Sequence, residues 1–514
     1  MSSPPCEVLI VGGGPVGMLL AAELGAYGVA TTVVEARRTT SDEPRAGTLH
    51  ARTVQSLARR GLAVGAADSA GAGGEPFHFA GLPGLSITAP AAEPAVLVKR
   101  AQADLERHFE AVARERGVRV LRGHRAVRID QDPGGVQVVV AADGSTCRLR
   151  ASYVVGADGA RSTVRELCGF AAVTHPATVS ALMGQIRFTD PAGVPLGWQR
   201  TERGWTSAKC DGQGRGRLLT LDCRGPHPDR AGAPTLEELS AEAARIVGRP
   251  VPLADPVHLS RFSDFSRLVT GYRQGRIFLA GDSAHVHFPV GGQGLNTGLL
   301  DALNLGWKLA HALRGRAGKD LLDTYDRERR PAGQRVVDNT RAQLALMRPG
   351  PELDPLRALM ADLLPLPEVA RRLGGMVSAQ DTEYRDGAAA QSVWEGRFLP
   401  NQPLAAGGTD LIALLGEGRP VLLLGDGADR PGGAEGWAHV LRTARAAGPL
   451  PDADAVVVRP DGYVLWASDG GELAGTLRQW FGEPREEFSR PAVAGADRSA
   501  DLSRCLMGYQ LEFL

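Results

Sequence analysis

The sequence predicts an α/β protein of two or three domains, and three observations support this fold class. The chain has 514 residues, about three times the length of an average domain. It opens with an apolar run, a glycine-rich turn and a helical pattern, which is how a parallel sheet with crossover helices begins. Strand-like segments with Gly- and Pro-rich connections follow, and a second α/β pattern lies near the end.

Composition excludes several other classes of protein. Hydrophobic residues make up 43% of the chain and charged residues 23%, which is typical of a globular protein with a sizeable core. The 58 basic residues balance the 58 acidic residues, so no net charge attracts nucleic acid or an acidic membrane. The six cysteines are scattered without C-x-x-C spacing, so neither a redox pair nor a zinc knuckle is expected. The N-terminal apolar run is too short for a signal peptide or a membrane span, and we expect a cytoplasmic protein.

The strongest motif lies in the first seventeen residues. The apolar run 7–11 predicts a strand, and it leads directly into GGGPVG at 12–17, which contains G-x-G-x-x-G. In this motif, Gly12 permits the tight turn, Gly14 lets a pyrophosphate approach the backbone, and Gly17 allows the helix to pack closely on the strand. A helical pattern and a second strand at 31–35 complete a Rossmann-like βαβ unit.

Glu35 ends the second predicted strand, where an acid accepts hydrogen bonds from the ribose hydroxyls of an adenosine. A glycine-rich turn that binds nothing is the alternative, and the complete strand–helix–strand–acid pattern disfavours it. The motif therefore predicts dinucleotide binding without distinguishing FAD from NAD.

Two distant segments repeat one arrangement, an apolar strand that ends in small residues and an aspartate. The first contains Asp158-Gly159 and the second contains Gly281-Asp282. Each glycine lets the backbone approach a ligand, and each acid accepts a hydrogen bond from a hydroxyl group. One extended, hydroxyl-rich ligand could contact both segments.

These three segments, in this order, resemble the FAD-dependent aromatic hydroxylases. These are single-component flavoprotein monooxygenases related to para-hydroxybenzoate hydroxylase, phenol hydroxylase and rifampicin monooxygenase, and the branch that acts on aromatic polyketides is the most similar. The resemblance implies that Asp282 contacts the ribityl chain and that Asp158 supports both FAD and NADPH. It also implies that the segment 289–296 faces the flavin pyrimidine edge, where the N-terminus of the following helix stabilises negative charge.

The resemblance further assigns Gln102 to the ribityl or pyrophosphate region, with Arg100 as a competing candidate, and places Arg45 and Arg52 near the FAD and the nicotinamide path. No catalytic residue is assigned. His227, His258 and Tyr272 are open possibilities for a base, but a core or surface role is the simpler interpretation of each. The residues expected to bind the cofactor are Gly12, Gly14, Pro15, Val16, Gly17, Glu35, Ala36, Arg37, Arg45, Gln102, Asp158, Gly159, Gly281, Asp282, Pro289, Gly292, Gly294, Leu295 and Asn296.

His285 and His287 form an H-x-H pair, but no third ligand or acidic cluster accompanies them, so we expect no metal. No second G-x-G-x-x-G follows, which fits a family that binds NADPH transiently in a surface groove.

The predicted domain organisation combines these motifs with the strand and helix patterns. Strands are expected at 180–188 and 217–223, a strand-rich hairpin region at 126–151, and helices at 236–247, at 434–446 and from Glu472. The expected units are the first part of a Rossmann-like FAD-binding domain (1–170), a mixed-sheet substrate-binding domain (171–275), the second part of the FAD-binding domain with a helical region (276–385), a linker (386–408) and a thioredoxin-like domain without C-x-x-C (409–514).

The resemblance implies a monooxygenase that holds FAD noncovalently, reduces it with NADPH or NADH and adds O2 at flavin C4a. The resulting hydroperoxide would hydroxylate a phenolic or polycyclic aromatic substrate of polyketide type. Three alternatives stay open: Baeyer–Villiger oxygen insertion, oxidative inactivation of an antibiotic, and a flavin-binding scaffold without turnover. The expected partners are an aromatic small molecule and O2, with no nucleic acid and no membrane, and a homodimer is a further expectation.

Overall fold

The computed structural model describes residues 6–64, 74–90, 92–94, 96–193, 196–229, 232–385, 392–450 and 452–485. Its strands, numbered β1 to β25 in chain order, are Val8–Val11, Thr31–Glu35, Thr48–His50, Glu75–Phe79, Leu82–Ile87, Leu97–Lys99, Arg119–Arg122, Arg125–Asp132, Gly135–Ala142, Ser145–Ala151, Tyr153–Gly156, Ala172–His175, Ser180–Phe188, Gly197–Thr201, Gly204–Cys210, Arg215–Asp222, Leu253–Ser263, Ser266–Val269, Arg273–Gln274, Ile277–Leu279, His285–Val286, Val421–Leu424, Arg442–Arg445, Ala455–Val458 and Val464–Ala467. Its helices, α1 to α11, are Pro15–Ala26, Ala51–Arg59, Gln102–Glu115, Thr163–Leu167, Leu236–Val247, Gln293–Leu313, Asp323–Met347, Asp354–Leu363, Pro367–Ser378, Leu411–Leu415 and Leu473–Phe481.

The first domain is built on a six-stranded sheet in the order β19-β20-β11-β1-β2-β7. All neighbouring strands are parallel except β19, which pairs antiparallel with β20. All four residues of Val8–Val11 are buried, because helices cover a parallel sheet on its faces and leave its central strands as continuous apolar runs. Helix α1 packs against α3 and α6. This confirms the Rossmann-like fold class.

The middle sheet has five antiparallel strands in the order β14-β15-β16-β13-β17. One face packs on α5, where Leu182 and Ile186 are buried with Leu239. Helix α5 begins after Thr235, whose hydroxyl accepts a hydrogen bond from the backbone N–H of Glu238. The strand predicted at 180–188 and the helix predicted at 236–247 are confirmed, and the region 126–151 forms the three-stranded sheet β10-β9-β8.

The C-terminal unit contains a four-stranded sheet in the order β23-β22-β24-β25, with only the β22–β23 pair parallel. The helix predicted at 434–446 is wrong: the chain forms a short 3-10 turn at Glu435–Trp437 and then strand β23. The alanine-rich composition favours a helix locally, but pairing with β22 and burial of Trp437 and Val440 outweigh that preference. The helix predicted from Glu472 is confirmed as α11.

The boundaries of the units stay predictions, and so does the thioredoxin-like class of the last one. Part of the expected linker packs firmly, since Leu399 and Leu404 are buried in one core with Leu411 and Val421. Residues 386–391 of that linker and 486–514 of the expected last unit lie outside the described residues. Within the described residues, no helix combines the length and the apolarity that a membrane crossing requires.

Buried ion pairs join the C-terminal unit to the first domain. Arg459 lies 2.7 Å from a carboxylate oxygen of Glu328 on α7 and 2.5 Å from Asp461. Lys308 on α6 donates to the same Glu328 at 2.8 Å. Arg60 pairs with Glu23 and also donates to a backbone carbonyl of the C-terminal unit. The junction is therefore a fixed interface in which buried charges compensate one another.

Candidate active site

The carboxyl ends of β1, β11 and β20 lie side by side at one edge of the first sheet. The strands pair in parallel, Val11 with Gly156 and Gly156 with Leu279. The turn after each strand carries one of the three motifs found in the sequence. The structure therefore brings these distant segments together at the sheet edge where α/β proteins bind ligands.

The glycines of the first turn differ in what surrounds them. Gly12 has a φ of +112°, and a Cβ there would lie 2.3 Å from the carbonyl oxygen of Ala157. A Cβ on Gly17 would lie 2.0 Å from the carbonyl oxygen of Gly12. In contrast, a Cβ on Gly14 would meet nothing within 4 Å. Packing therefore requires Gly12 and Gly17, whereas Gly14 borders open space.

Pro15 and Val16 form the first turn of α1, and Gly14 caps this helix without a side-chain hydrogen bond. The free N–H groups at this end suit an anion such as a pyrophosphate. Glu35 lies beside the turn. One carboxylate oxygen accepts a hydrogen bond from the backbone N–H of Gly13 at 2.6 Å, and the other accepts one from the backbone N–H of Arg37 at 2.7 Å. Each oxygen keeps a lone pair for a ribose hydroxyl. Ala36 and Arg37 follow on the exposed surface.

Asp158 makes hydrogen bonds within its own loop. It accepts from the hydroxyl of Ser162 at 2.5 Å and from the backbone N–H of Val164 at 3.1 Å. Burial raises the pKa of this carboxyl group. Gly159 follows in a left-handed conformation with open space around it. Asp158 thus shapes the second turn at this edge of the sheet.

Asp282 is accessible to solvent even though protein surrounds it closely, which places it on the wall of a deep cleft. Burial raises its pKa, and His285 and then Arg45 act against that rise. Arg45 itself is half-exposed and pairs with Glu43 at 2.9 Å. Gly281 is fixed behind Asp282, because its backbone N–H donates to Asp301 at 3.0 Å. The cleft therefore presents a carboxyl group that could accept a hydrogen bond from a ribityl hydroxyl.

The segment 289–296 forms a short 3-10 turn and then the start of α6. Pro289 is exposed, and Gly291 and Gly292 both have positive φ values, +76° and +65°. Glycine tolerates this left-handed backbone. Gly292 is the residue before α6 and carries no side-chain cap, so the first N–H groups of a 21-residue helix stay available at this end.

The side chain of Asn296 is engaged within the protein, and its contact with the cofactor stays a prediction. Its amide nitrogen donates to the carbonyl oxygens of Thr48 and Gly292, and its amide oxygen accepts from the N–H of His50 at 2.8 Å. The side chain therefore fastens β3 to the start of α6. Backbone groups of this segment, rather than the Asn296 amide, are available to a ligand.

Two neutral histidines support the same segment. Nε2 of His50 donates to the carbonyl oxygen of Gly291 at 2.8 Å, and His287 lies against Gly294. Burial lowers the pKa of each histidine to about 4. Leu295 packs at the edge of the main core. Positive potential at the start of α6 therefore comes from the helix terminus and not from His50 or His287.

Gln102 opens α3, and its backbone N–H donates to the carbonyl oxygen of Ala46, while that of Arg100 donates to Gly47. These bonds hold the segment that carries Arg45. The guanidinium of Arg52 is buried, donates to the carbonyl oxygen of Gln380 and lies 3.6 Å above the ring of Phe398, and its place near the nicotinamide path stays a prediction. Arg52 points to the C-terminal unit because it lies on α2, whose buried face packs there.

Asp301 was not expected from the sequence. It is fully buried on α6, accepts from the N–H of Gly281, and pairs with His285 at 2.8 Å and with Arg329 at 2.7 Å. Although burial acts to raise it, the pKa of Asp301 is lowered by Arg329 and His285. An aspartate in an otherwise apolar helical pattern was the available signal. The pairing also explains the H-x-H motif, and no group of three potential metal ligands occurs in the described chain.

The face of the middle sheet opposite α5 turns toward the start of α6, since Trp205 and Leu221 are buried in one core with Phe288 and Val290. A row of side chains crosses that face in register, Ser207 beside Leu219, Leu219 beside Met183, and Met183 beside Ser260. All four side chains are partly accessible. We call this row the cavity row. Next to the packed part of this face the side chains are thus not sealed, and we infer a cavity there, between the sheet and the start of α6.

Aromatic and imidazole rings connect the start of α6 with the middle sheet, since His50 donates to the carbonyl oxygen of Gly291. His50 touches Phe77 with ring centroids 5.3 Å apart, Phe77 stacks on His78 at 4.9 Å, and His78 lies 5.3 Å from Trp198. On the other side, Phe262 contacts Phe288 at 5.8 Å. Sequence inspection missed these residues, because separate units contribute them and only folding brings them together.

The three residues considered as a base have other surroundings. Tyr272 is completely buried, and burial raises its pKa far above the usual range. His227 is at the outer surface near Asp229 and Glu238. His258 lies on the middle sheet at the open end of the cavity, paired with Gln185. The structure does not bring these three residues together.

Comparisons with known proteins agree with this geometry. A family model described as an FAD binding domain matches residues 5–340, and one described as the C-terminal part of aromatic-ring hydroxylases matches residues 392–484.

Similar proteins cover nearly the whole chain. The rifampicin monooxygenase of Streptomyces venezuelae is 37% identical over 497 residues, which span 93% of this chain and 98% of that protein. The dialkyldecalin synthase of Streptomyces rugosporus is 37% identical over 481 residues, which span 92% and 98%. The solved structure of OxyS anhydrotetracycline hydroxylase from Streptomyces rimosus matches with a TM-score of 0.84 at 35% identity, covering 94% of this chain and 100% of that chain.

Proposed function

Because this chain belongs to the FAD-dependent aromatic hydroxylases, we propose that it uses NADPH or NADH, O2 and noncovalently held FAD to hydroxylate a phenolic or polycyclic aromatic compound of polyketide type. One observation carries the proposal. Ring contacts run from the start of α6 to the middle sheet: His50, which donates to the carbonyl oxygen of Gly291, contacts Phe77, and Phe288 contacts Phe262.

The residues at the sheet edge fit FAD along its whole length. The N–H groups at the start of α1 would hold the pyrophosphate, Glu35 the adenosine ribose and Asp282 the ribityl chain. The N–H groups after Gly292 would face the pyrimidine edge of the ring. When bound, FAD takes electrons from the nicotinamide cofactor and activates O2, which supplies the transferred oxygen.

The protein would contribute electrostatics and exclusion of water. The terminus of α6 favours negative charge near the pyrimidine edge, and a preorganised dipole needs no rearrangement during the reaction. His50 and His287 stay neutral at physiological pH, so protonation does not change that potential. Asn296 and Asp301 hold the two segments in place from behind.

The apolar cavity would position the aromatic ring and keep water away from the reacting atoms. Leu219 and Met183 offer apolar surface, while Ser207 and Ser260 provide hydroxyl groups that can bind substrate oxygens. Such a surface suits a flat, polyhydroxylated ring system.

Oxygen-18 labelling tests the proposed function. The FAD-loaded protein is mixed with NADPH, 18O2 and a panel of hydroxylated naphthalenes and anthracenes. The products are analysed by mass spectrometry. The expected product carries one labelled oxygen atom, with its ring count unchanged. Steady NADPH consumption that yields only hydrogen peroxide with every phenol would contradict hydroxylation of this class. A ring-expanded product would indicate Baeyer–Villiger insertion, and loss of antibacterial activity of the substrate would identify antibiotic inactivation.

A second candidate is a flavin-holding protein that catalyses a reaction without net oxidation. A solved structure described as Diels-Alderase PyrE3 favours it, because a Diels–Alder reaction involves no net oxidation; it is 36% identical, has a TM-score of 0.78 and covers 93% of this chain. This candidate predicts bound FAD, no substrate-dependent NADPH consumption, and a product with the same mass as its substrate. The labelling experiment therefore separates the two candidates.

A further inference from the structure

The cavity row has a neighbouring row on each side, and the two neighbours differ in exposure. Toward the packed end, Trp205 and Leu221 are paired in register and buried. Toward the open end, Lys209 and Arg217 are paired in register and exposed. The cavity therefore opens at the end that carries these two positive charges.

Lys209 and Arg217 lie directly opposite each other on adjacent antiparallel strands. Like charges at such cross-strand positions repel and destabilise a sheet. Among the residues that the structure describes, no carboxylate lies within ion-pair distance of either one. The pair is therefore unfavourable for folding, and a ligand would relieve the repulsion.

A third positive charge, Lys99, lies close enough to Lys209 for the two charges to act on each other. Lys99 ends β6, pairs with Thr48 in register, and donates to the Thr48 hydroxyl at 3.1 Å. The carbonyl oxygen of Thr48 in turn accepts a hydrogen bond from the side-chain amide of Asn296. Thr48 therefore connects Lys99 to the segment 289–296. Burial and then the charge of Lys209 lower the pKa of Lys99, with Glu75 acting in the opposite direction.

His78 lies between the two sides of the opening. Burial, Lys209 and Lys99 all lower its pKa, to about 4, so it is neutral at physiological pH. Its Nδ1 accepts from the backbone N–H of Gly81, which leaves the proton on Nε2. The opening thus presents three cations and a neutral hydrogen-bond donor, with Glu75 as the acid that acts on Lys99.

We propose that Lys99, Lys209 and Arg217 form an anion subsite at the mouth of the cavity that binds an acidic substituent, a carboxylate or an enolate, of the aromatic substrate. This inference rests on the proposed function, because it takes the cavity as the place where the aromatic ring binds. The subsite would orient a flat ring system, with its acidic edge outward and the opposite edge toward the flavin.

A matched pair of ligands tests the subsite. Binding of 6-hydroxy-2-naphthoic acid and of 6-hydroxy-2-naphthamide to the FAD-loaded protein is measured by calorimetry at pH 8. We expect the acid to bind at least about tenfold more tightly than the amide, and this preference to shrink as NaCl is raised. Equal affinity for acid and amide would overturn the proposal.

Lysine variants test which side chains cause the preference for the acid over the amide. The chain contains only four lysines, at positions 99, 209, 308 and 319. In the double variant Lys99→Met/Lys209→Met, we expect the acid to lose about tenfold in affinity while the amide changes less than about twofold. Lys319→Met is the matched control, an exposed lysine between α6 and α7, and it should leave both affinities unchanged. Equal weakening of both ligands would contradict an anion subsite.

The nicotinamide cofactor also carries phosphates, and a separate measurement excludes it as the anion. The NADPH concentration dependence of anaerobic flavin reduction should be the same in the double variant and the unchanged protein. Weaker NADPH use with unchanged naphthoate binding would show that the assignment to the substrate is wrong. Because calorimetry needs no turnover, an acid preference without oxygen incorporation would refute the proposed function and leave the subsite intact.

Discussion

The junction with the C-terminal unit and the mouth of the cavity both contain clustered positive charges. At the junction these charges are paired with carboxylates, whereas at the mouth, within the part of the chain that the structure describes, they are not. At the junction, Arg459 is enclosed and contacts Glu328 and Asp461. At the mouth, Lys209 and Arg217 are adjacent, and no carboxylate of the described residues pairs with them. Paired buried charges hold two parts of a fold together, whereas unpaired charges around a cavity are available to a ligand.

Breaking the paired region should have the largest effect on stability. Replacing Arg459→Met leaves Glu328 and Asp461 buried with fewer counter-charges, and we expect a loss of about 3–5 kcal/mol in the free energy of unfolding. The measurement is denaturant unfolding followed by tryptophan fluorescence. The control is Arg478→Met, which removes an exposed pair with Glu483 and should cost less than about 1 kcal/mol. Equal losses of stability in both variants would show that the buried ion pairs of Arg459 stabilise the fold no more than an exposed pair does.

Buried histidines near the cavity and near the junction should make the stability of the protein sensitive to acid. Burial lowers the pKa of His50, near the cavity, and of His311, near the junction, from 6.5 to about 4. The unfolded chain takes up protons below pH 6.5, while these folded histidines stay neutral until about pH 4. The free energy of unfolding should therefore fall between pH 6.5 and 4, by up to about 3 kcal/mol for each histidine.

His311→Phe sharpens this expectation, because His311 is surrounded by the rings of Trp307, Tyr27 and Phe481. Between pH 6.5 and 4, the free energy of unfolding should fall less in the variant than in the unchanged protein. At pH 8 the two proteins should have similar free energies of unfolding. Parallel stability curves for the two proteins across that range would be inconsistent with a neutral buried His311.

Two glycines in one turn separate a folding requirement from a binding requirement. In Gly17→Ala the new methyl group would collide with the carbonyl oxygen of Gly12, and we expect a loss of about 1–3 kcal/mol in stability. In Gly14→Ala the methyl group enters open space, so stability should change by less than about 0.5 kcal/mol. FAD affinity should nevertheless fall about tenfold or more, as measured by flavin fluorescence titration. Unchanged affinity in Gly14→Ala would mean that the pyrophosphate does not lie at this turn.

These contrasts also show what the sequence could predict. The βαβ unit, strand β13 and helix α5 were predictable because local apolar spacing and caps such as Thr235 determine them. Strand β23 was not, because its partner strand and not its alanine-rich segment decides its conformation.

The candidate site divides in the same way. Gly12, Glu35, Asp158 and Asp282 lie at the ends of strands or within three residues after them, so parallel pairing brings them to one edge as the motifs indicate. In contrast, Lys99, His78 and Lys209 come from three separate sheets, and no local pattern signals that they meet. The orientation of Arg52 toward Phe398 likewise depends on how the C-terminal unit packs.

The smallest expected effect concerns the exposed pair of Arg45 and Glu43. Glu43→Gln should change stability by less than about 1 kcal/mol, since the partners are half-exposed and solvent screens them. Arg45→Met removes a positive charge that acts on Asp282, and we expect about a threefold loss in FAD affinity at low salt. A similar loss in Glu43→Gln would indicate disturbance of the segment rather than an effect of charge.

Flavin content tests the central claim most directly. The purified protein is incubated with excess FAD, freed of unbound cofactor, and then denatured, and the absorption spectrum of the soluble fraction is recorded. A cofactor held by separated segments of one cleft predicts about one equivalent of intact FAD per chain, released completely on unfolding. A colourless protein that takes up no FAD, or a flavin that stays attached to the unfolded chain, would contradict this account.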